Sequence, residues 1–433
     1  MRRLWTAGTI VVLIALAFWV GYWSFPLLQG TGTFVAAAPD NPAHQATDSP
    51  LPEDTPLADD RMRAFWEAWD ILERDFYGSK PDALDRAYGA IRGLTETFDD
   101  PYTYFLEPQP RQLERDELRG RFGGVGANIE RTDAGYVLYP LVDQPAARAG
   151  IQSGDLLLRV DDDPIPPEME SDQVVARVRG PVGSTVTLTI RRTGADTNTG
   201  ADSDTGADTA LAQDMEFAIE RAEIETPSLE WRLLEVCAAV TDADMACTAP
   251  GAPRVGYIRH TLFSERSPAE MEVAITELQT QGAVRFILDL RGNPGGLVSS
   301  AVGVADLWLD GGPVYIEQRA SGSEEITHAE PGALAESLPL VIIVDGSSAS
   351  ASEIVAGALQ DQNRARLIGE QTYGKGSVQL IHELSDQSSI HVTNAEWFTP
   401  NRRRISPDGL TPDVVIVPGS DPLPQAVLLL AEE

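Results

Sequence analysis

Hydrophobic residues recur at two different spacings along this chain. Between residues 60 and 77 they return at intervals of three and four, which is typical of an amphipathic helix, and a second helical stretch covers residues 81–98. From residue 121 onward, short apolar and β-branched runs such as Y-V-L-Y-P-L-V and T-V-T-L-T-I-R-R alternate with glycine-rich turns. The pattern predicts a small helical region followed by a compact module of strands and helices.

The second half of the chain alternates strands with helices. Nearly continuous apolar strands, among them V-R-F-I-L-D-L and P-L-V-I-I-V-D, are each followed by a helical stretch. Apolar strands without alternation are typical of a sheet that is buried on both faces. We therefore expect an α/β layer with its most polar turns at the carboxyl ends of the strands, where open sheets of this kind bind ligands.

Changes in composition divide the chain into segments. An acidic low-complexity run, T-G-A-D-T-N-T-G-A-D, interrupts the strand-rich module and predicts a disordered loop. The predicted segments are 1–28 as membrane anchor or signal segment, 29–58 as flexible tether, 59–120 as N-terminal helical region, 121–224 as strand-rich module with the disordered insertion 193–212, 225–253 as cysteine-bearing insertion, and 254–433 as α/β core.

The first residues of the chain predict export. Arg2 and Arg3 precede an apolar run over residues 4–28, which is long enough to cross a hydrocarbon core of about 30 Å. The arginines would stay on the cytoplasmic side, so the rest of the chain would be extracytoplasmic. We expect an uncleaved anchor in the cytoplasmic membrane. A signal peptide cleaved near residues 36–38, leaving a secreted or periplasmic protein, and a buried soluble helix are the alternatives.

Charge and cysteine content narrow the function classes. The 66 acidic residues against 33 basic ones give a net charge of −33, which disfavours nucleic acid as a partner because its phosphates are repelled. The five histidines and two cysteines show no metal-binding spacing, so we expect neither a metal site nor a cofactor. In an exported protein, Cys237 and Cys247 are predicted to pair as a disulfide, and a reactive thiol is the alternative.

One strand-to-helix turn carries a candidate nucleophile. The strand P-L-V-I-I-V-D leads through G-S-S-A-S into a helical run, and Ser350 lies where the helix begins. A helix N-terminus offers unpaired N–H donors, that of Ala351 among them, to an oxyanion that forms there. The alternative is structural, because serines at such positions also cap helices and fill turns.

A serine hydroxyl needs a base, and Lys375 in G-E-Q-T-Y-G-K-G-S is the candidate. No histidine lies in a motif that marks a base, and the G-x-S-x-G elbow is absent. A lysine with an ordinary pKa of about 10.4 is protonated at pH 7, so Lys375 must be desolvated to act as a base. The same segment also resembles a nucleotide-binding loop, G-x-x-x-x-G-K. That alternative is disfavoured by Gly376, which stands where Ser or Thr would bind Mg²⁺, and by the strand-like run that follows.

Together these segments resemble the carboxyl-terminal processing peptidases, also called tail-specific proteases. Members of that family are serine peptidases with a Ser/Lys dyad and an inserted PDZ domain. The resemblance covers about residues 60–417. It rests on A-I-R-G-L-T-E-T-F-D-D-P-Y-T-Y-F-L, F-G-G-V-G-A-N-I, P-A-A-R-A-G-I-Q-S-G-D-L-L-L-R-V, L-D-L-R-G-N-P-G-G, S-A-S-A-S-E-I-V-A-G-A-L-Q-D and G-E-Q-T-Y-G-K-G-S-V-Q.

The resemblance implies a role for each candidate residue. Ser350 would be the nucleophile and Lys375 the general base, with Gln379 orienting the lysine. The oxyanion hole would use the Ala351 N–H and that of either Gly295 or Gly296. A substrate's C-terminal carboxylate would bind the loop formed by Gly123, Gly124, Val125 and Gly126.

The expected protein is therefore a multidomain α/β protease. Residues 121–224 would form a PDZ domain and residues 254–433 the Ser/Lys protease core. It would be an exported endopeptidase that recognises C-terminal tails, with protein or peptide substrates and the membrane as partners. Whether it forms a homo-oligomer stays open. The alternative function is a catalytically silent, membrane-tethered PDZ scaffold.

Overall fold

The computed structural model describes residues 60–192, 213–235 and 254–432. The predicted anchor, the tether, the acidic insertion 193–212, and the cysteines at 237 and 247 all lie outside the described residues. Among the helices that are described, none combines the length and the hydropathy needed to cross a membrane.

The N-terminal region contains the two helices expected from the sequence and two further elements. Its members are α1 (Asp60–Asp75), α2 (Ala83–Glu96), β1 (Tyr104–Leu106) and α3 (Pro108–Arg119). Asp82 caps α2, because its side chain accepts hydrogen bonds from the backbone N–H groups of Leu84 and Asp85. The helical pattern of the sequence ends at residue 98, so it does not predict β1 and α3.

A strand-rich module follows α3. Its members are β2 (Arg121–Gly124), β3 (Ala127–Thr132), β4 (Gly135–Pro140), α4 (Pro145–Ala149), β5 (Asp155–Val160), β6 (Asp163–Pro164), α5 (Ser171–Val178), β7 (Thr185–Arg192), β8 (Gln213–Glu220) and β9 (Ala222–Glu225). An antiparallel sheet has the order β3-β4-β5-β7-β8, with β6 paired to β5. In β7, Val186, Leu188 and Ile190 are fully buried and alternate with more exposed residues, which is the period of a half-buried strand. Strand β2 pairs with β9 and joins the two ends of the module.

The C-terminal half forms the expected α/β layer. Its elements are β10 (Leu229–Glu235), β11 (Arg254–His260), α6 (Ser267–Thr280), β12 (Arg285–Asp289), α7 (Val298–Asp306), β13 (Gly312–Arg319), β14 (Glu324–Ala329), β15 (Leu340–Val344), α8 (Ala351–Asp361), β16 (Arg366–Gly369), β17 (Ser377–Glu383), β18 (Ser389–Phe398), β19 (Val414–Val415) and α9 (Leu423–Glu432). The main sheet has the order β10-β11-β12-β15-β16-β19. It is parallel from β11 to β19, and β10 is an antiparallel edge strand.

Helices cover both faces of this main sheet. Leu340, Ile342 and Val344 of β15 pack in one cluster with α6, α7 and α8, whereas Val341 and Ile343 pack with α9 on the opposite face. Every residue of β15 is at most 1% exposed, so the strand needs apolar residues at every position. The expected multidomain α/β fold is confirmed.

A second sheet links the N-terminal region to this half. It is antiparallel, with the order β1-β18-β13-β14 and β17 paired to β18. The sequence indicated further strands near the C-terminus but not that they form a separate sheet. Strand β1 lies at its edge, with Tyr104 opposite His391 of β18. The N-terminal region therefore contributes a strand to the C-terminal half.

Candidate active site

Three loops meet at one edge of the main sheet. They follow the neighbouring parallel strands β12, β15 and β16 and cover residues 290–297, 345–350 and 370–376. Because parallel neighbours end at the same edge, these loops converge although residues 298–344 separate the first from the second. Each of the predicted catalytic segments lies on one of them.

Ser350 occupies a strained turn between β15 and α8. Its φ of 55° and ψ of −113° lie outside the helical and extended regions, a conformation that costs a non-glycine residue about 1–3 kcal/mol. The residue is fully buried, and its hydroxyl oxygen has no hydrogen-bond partner among the described residues. The turn therefore holds an uncommitted hydroxyl at the N-terminus of a helix.

The carboxylate of Glu353, in the first turn of α8, joins the two predicted catalytic segments. Its Oε2 accepts the backbone N–H groups of Ser350 and Lys375, each at 2.9 Å. Its Oε1 accepts the N–H of Gly374 at 2.8 Å and the hydroxyl of Thr372 at 2.5 Å. Burial raises the pKa of Glu353, while these four donors oppose that rise by stabilising the charged form.

Glu353 is not among the site residues that the sequence predicts. Glutamate in the first turn of a helix is common, so its position alone indicates an ordinary cap. The signal that was available is S-x-x-E at residues 350–353, a capping-box pattern inside a helix that is otherwise apolar. Its link to Lys375 depends on long-range folding and cannot be read from the spacing.

Lys375 is buried. The residue is 4% exposed, and burial lowers its pKa to about 8, while the charges of Glu114, Glu353 and Asp100 act in the opposite direction. Its backbone carbonyl accepts the indole N–H of Trp397 at 3.0 Å. An appreciable share of this lysine is therefore neutral near pH 8, as a base requires.

Gln379 lies four residues after Lys375 on β17 and is fully buried. Its Nε2 donates to Ser377 Oγ at 2.7 Å, and its Oε1 has no partner among the described residues. A register shift between Val378 and Gln379 interrupts the pairing of β17 with β18, and irregularities of this kind re-aim side chains. The site thus contains a buried amide oxygen that is available to an ammonium or hydroxyl donor.

The glycine turn after β12 packs directly against Ser350. A Cβ on Gly295 would lie 2.8 Å from Ser350 Cβ and 3.1 Å from the Ala351 nitrogen, so only glycine fits there. Asn293 holds this turn: its Oδ1 accepts the Gly295 N–H at 2.9 Å, and its backbone oxygen accepts the Ala349 N–H at 3.1 Å. The turn and the start of α8 are therefore fastened together.

The two glycines of this turn differ in their N–H groups. That of Gly295 is taken by Asn293, whereas those of Gly296 and Ala351 donate to no group within the described ranges. Gly296 is fixed by Phe263, which donates to the Gly295 carbonyl and accepts from Leu297, both at 2.8 Å. The geometry favours Gly296 over Gly295 as the partner of Ala351.

The predicted carboxylate-binding loop precedes β3 in the strand-rich module. Val125 and Gly126 use their carbonyl groups to accept from Ala146 at 2.8 Å and Leu141 at 2.9 Å. Their N–H groups donate to no acceptor in the described part of the chain. Gly123 and Gly124 lie in β2 and pair with β9. Strand β3 is the edge of its sheet, so its outer side can accept an added strand.

A cavity of about 580 Å³ separates this loop from α3. Phe122 and Gly123 line one side, and Gln112 and Asp116 of α3 line the other. Arg179 also lines the cavity, and its guanidinium stacks on the Phe122 ring, 3.8 Å from the ring centre.

Among the described residues, no group of three or more His, Cys, Asp or Glu side chains could hold a metal ion.

Comparisons with known proteins identify the family. A family model for peptidase family S41 matches residues 254–416, and one for the PDZ domain matches residues 136–192. A carboxy-terminal-processing protease of Bartonella bacilliformis is 32% identical over 365 residues, which cover 82% of this chain and 75% of that protein. This chain belongs to the carboxyl-terminal-processing proteases. It is a serine peptidase with a PDZ domain.

Other proteases of this family are similar over the same extent. One from Synechocystis sp. is 34% identical over 351 residues, covering 80% of this chain and 75% of that protein. Among solved structures, the photosystem II D1 C-terminal processing protease is 29% identical, with a TM-score of 0.46, and covers 82% of this chain and 88% of that one.

Proposed function

We propose that this protease cleaves peptide bonds with a dyad of Ser350 and Lys375. The observation that carries the proposal is the joint arrangement of the two residues: one oxygen of Glu353 binds both backbone N–H groups, and Lys375 is buried with its pKa lowered to about 8. A structural serine cap would not require a desolvated lysine on the neighbouring loop.

In the proposed reaction, neutral Lys375 Nζ takes the proton of Ser350 Oγ while Oγ attacks the peptide carbonyl carbon. The N–H groups of Ala351 and Gly296 would hold the oxyanion of the tetrahedral intermediate. This role is supported by the fact that neither group donates a hydrogen bond within the described residues. Collapse breaks the C–N bond, and the lysine returns its proton to the leaving amine. Water then attacks the acyl-enzyme, with Lys375 again taking the proton, and Ser350 is regenerated.

The amide oxygen of Gln379 supports its proposed role as the residue that orients Lys375. It is a buried acceptor with no partner in the described part of the chain, which is unfavourable unless a donor reaches it during the reaction. The lysine ammonium formed after proton transfer is such a donor.

We infer that the PDZ domain binds the C-terminal tails of substrates. The unused N–H groups of Val125 and Gly126 and the open edge of β3 support this inference, because a terminal carboxylate and an extended peptide need those two features. The names of the relatives, which describe carboxyl-terminal processing, agree with it.

We also infer that the enzyme acts outside the cytoplasm, held to the membrane by its first 28 residues. The support is the apolar run behind Arg2 and Arg3 in the sequence. Extraction of isolated membranes at alkaline pH tests this inference. The full chain is expected to stay in the pellet, and its complete release would contradict the anchor.

Variants of the dyad test the proposed chemistry. An unfolded model substrate with a free C-terminal tail is incubated with the wild type, Ser350→Ala, Lys375→Ala and Lys375→Arg, and fragments are identified by mass spectrometry. All three variants are expected to lose cleavage by at least about 1,000-fold, because the nucleophile or the neutral base is gone and a guanidinium does not release its proton.

Thermal unfolding provides the control, since each variant is expected to unfold near the wild-type temperature. Wild-type cleavage by folded Lys375→Ala would exclude the dyad. A wild type that binds the tail but releases no fragment would favour the alternative of a silent PDZ scaffold.

A further inference from the structure

A loop of the N-terminal region reaches the candidate base. It covers residues 97–103 and connects α2 to β1. Asp100 organises it by accepting the Thr103 hydroxyl at 2.6 Å and the Tyr102 N–H at 3.3 Å. Thr103 Oγ1 in turn accepts the N–H of Thr393 at 3.2 Å, which fastens the loop to β18. The loop therefore has a defined position relative to the protease core.

This position brings an aromatic ring to the lysine. The Nζ of Lys375 lies 5.0 Å from the centre of the Tyr102 ring. The side chain of the same tyrosine also interacts with that of Tyr373, two residues before the lysine. Tyr102 lies outside residues 254–416, which match the peptidase family model. One wall of the pocket around Lys375 thus comes from the N-terminal region.

An aromatic wall affects a lysine base in two ways. The ring occupies space that water would fill, so it keeps the amine desolvated and favours its neutral form. Its π face also attracts the ammonium that exists once the lysine has taken a proton. A carboxylate in the same place would hold the lysine charged at rest, whereas the ring stabilises the charge without that strong pairing.

We propose that Tyr102 is a positioning residue of the active site, whose ring holds the Lys375 amine and excludes water from it. The N-terminal region would then contribute to the reaction as well as to the packing of the fold. The inference rests on the proposed function, because it assumes that Lys375 is the base.

The charges around Lys375 set the expected direction of the effect. Glu114 of α3, Glu353 of α8 and Asp100 of the loop all raise the pKa of Lys375, and burial is the larger, opposing cause. The Tyr102→Ala substitution removes the ring and admits water, which weakens the lowering of the Lys375 pKa by burial. The pKa of Lys375 is then expected to rise from about 8 toward its ordinary value.

The test measures kcat and KM of the full chain on the tailed substrate across pH 6 to 10. For Tyr102→Ala we expect kcat at pH 8 to fall about 10- to 30-fold, KM to stay near the wild-type value, and the acid limb of the kcat profile to move to higher pH. Tyr102→Phe keeps the ring and is expected to stay within about twofold of the wild type.

Two further variants complete the design. Phe98→Ala removes another aromatic ring from the same region, but Phe98 is 67% exposed, so activity should not change. If Tyr102→Ala does not fold, Tyr102→Leu serves in its place. Leucine keeps the pocket dry but lacks a π face, so kcat should fall at least about threefold and the acid limb should move to lower pH.

The results separate this inference from the proposed function. Loss of activity in Lys375→Ala together with a wild-type profile in folded Tyr102→Ala or Tyr102→Leu would overturn the role of Tyr102 alone. A Tyr102→Phe variant as impaired as Tyr102→Ala would also overturn it, because the ring would then not suffice. Full activity of Lys375→Ala would remove the dyad and this inference with it.

Discussion

Glu353 and Lys375 are both buried in the candidate active site, but burial has different consequences for their side chains. Four donors surround the fully buried Glu353 carboxyl group and oppose the rise in its pKa that burial causes. The same carboxylate accepts the backbone N–H of Lys375, whereas the pKa of the lysine side chain is set mainly by burial, which lowers it. The carboxylate can therefore fix the position of the lysine backbone while the amine stays able to lose its proton.

The lowered pKa of Lys375 predicts the pH dependence of cleavage. The base is active when neutral, so kcat/KM should rise as pH increases toward about 8 and level off above it. About one-tenth of the lysine is neutral at pH 7, compared with less than about one-thousandth at an ordinary pKa. Initial rates between pH 6 and 10 on a substrate without titrating groups near the cleaved bond provide the measurement.

The control for this profile is the stability of the fold, measured by thermal unfolding over the same range. A rate that does not change between pH 6 and 9, or one that continues to rise until about pH 10, would contradict a desolvated base.

The loops after β12 and β15 assemble the site through contacts that tolerate little change. Gly295 has a φ of 110° and no room for a Cβ beside Ser350, whereas Gly292 in the same turn has a φ of 71° and open space around it. Both positions disfavour other residues because of backbone conformation, but only Gly295 touches the catalytic turn.

This difference provides a matched pair of variants. Gly292→Ala should lose about 1–2 kcal/mol of unfolding free energy from backbone strain, and Gly295→Ala should lose more, because its Cβ also clashes with Ser350 and the Ala349 carbonyl. Only Gly295→Ala should also lose at least about 100-fold in kcat, because its Cβ displaces Ser350 and the Ala351 N–H. Chemical denaturation and steady-state kinetics of both variants provide the measurement. Equal kinetic losses in the two would contradict a specific contact with the serine turn.

Helix α3 connects the distant parts of the molecule. Asp116 and Gln112 line the cavity beside the PDZ loop, and Glu114 on the same helix contributes to the field at Lys375. Arg111 and Arg115 bind Glu383 of β17, so the helix is also fastened to the protease core. The PDZ domain and the pocket of Lys375 thus share one helix.

The contribution of tail binding can be measured separately from that of the chemical step. Amidation of a substrate's C-terminus removes the carboxylate that the N–H groups of Val125 and Gly126 would bind. We expect KM to rise about tenfold or more, by loss of charge-assisted hydrogen bonds, and kcat at saturation to change less. Steady-state kinetics of paired acid and amide substrates provide the measurement. Identical KM values would contradict tail recognition by this loop.

Much of the fold and of the site could be predicted from sequence because the signals are local. Apolar runs predicted the strands of the main sheet, since strands buried on both faces need such residues at every position. Small residues before a helix marked the turn of Ser350, and flanking glycines marked Lys375. The helices of the N-terminal region followed from a spacing of three and four residues.

The remaining features depend on residues that are far apart in the chain. Neither Glu353 nor Tyr102 carries a local pattern that points to Lys375, because their contacts arise from the order of β12, β15 and β16 and from the pairing of β1 with β18. The choice of Gly296 over Gly295 required knowing which N–H donates to Asn293. Short-range patterns thus predicted the candidate reacting groups, whereas burial and long-range contacts, which set pKa values and free donors, came from the folded chain.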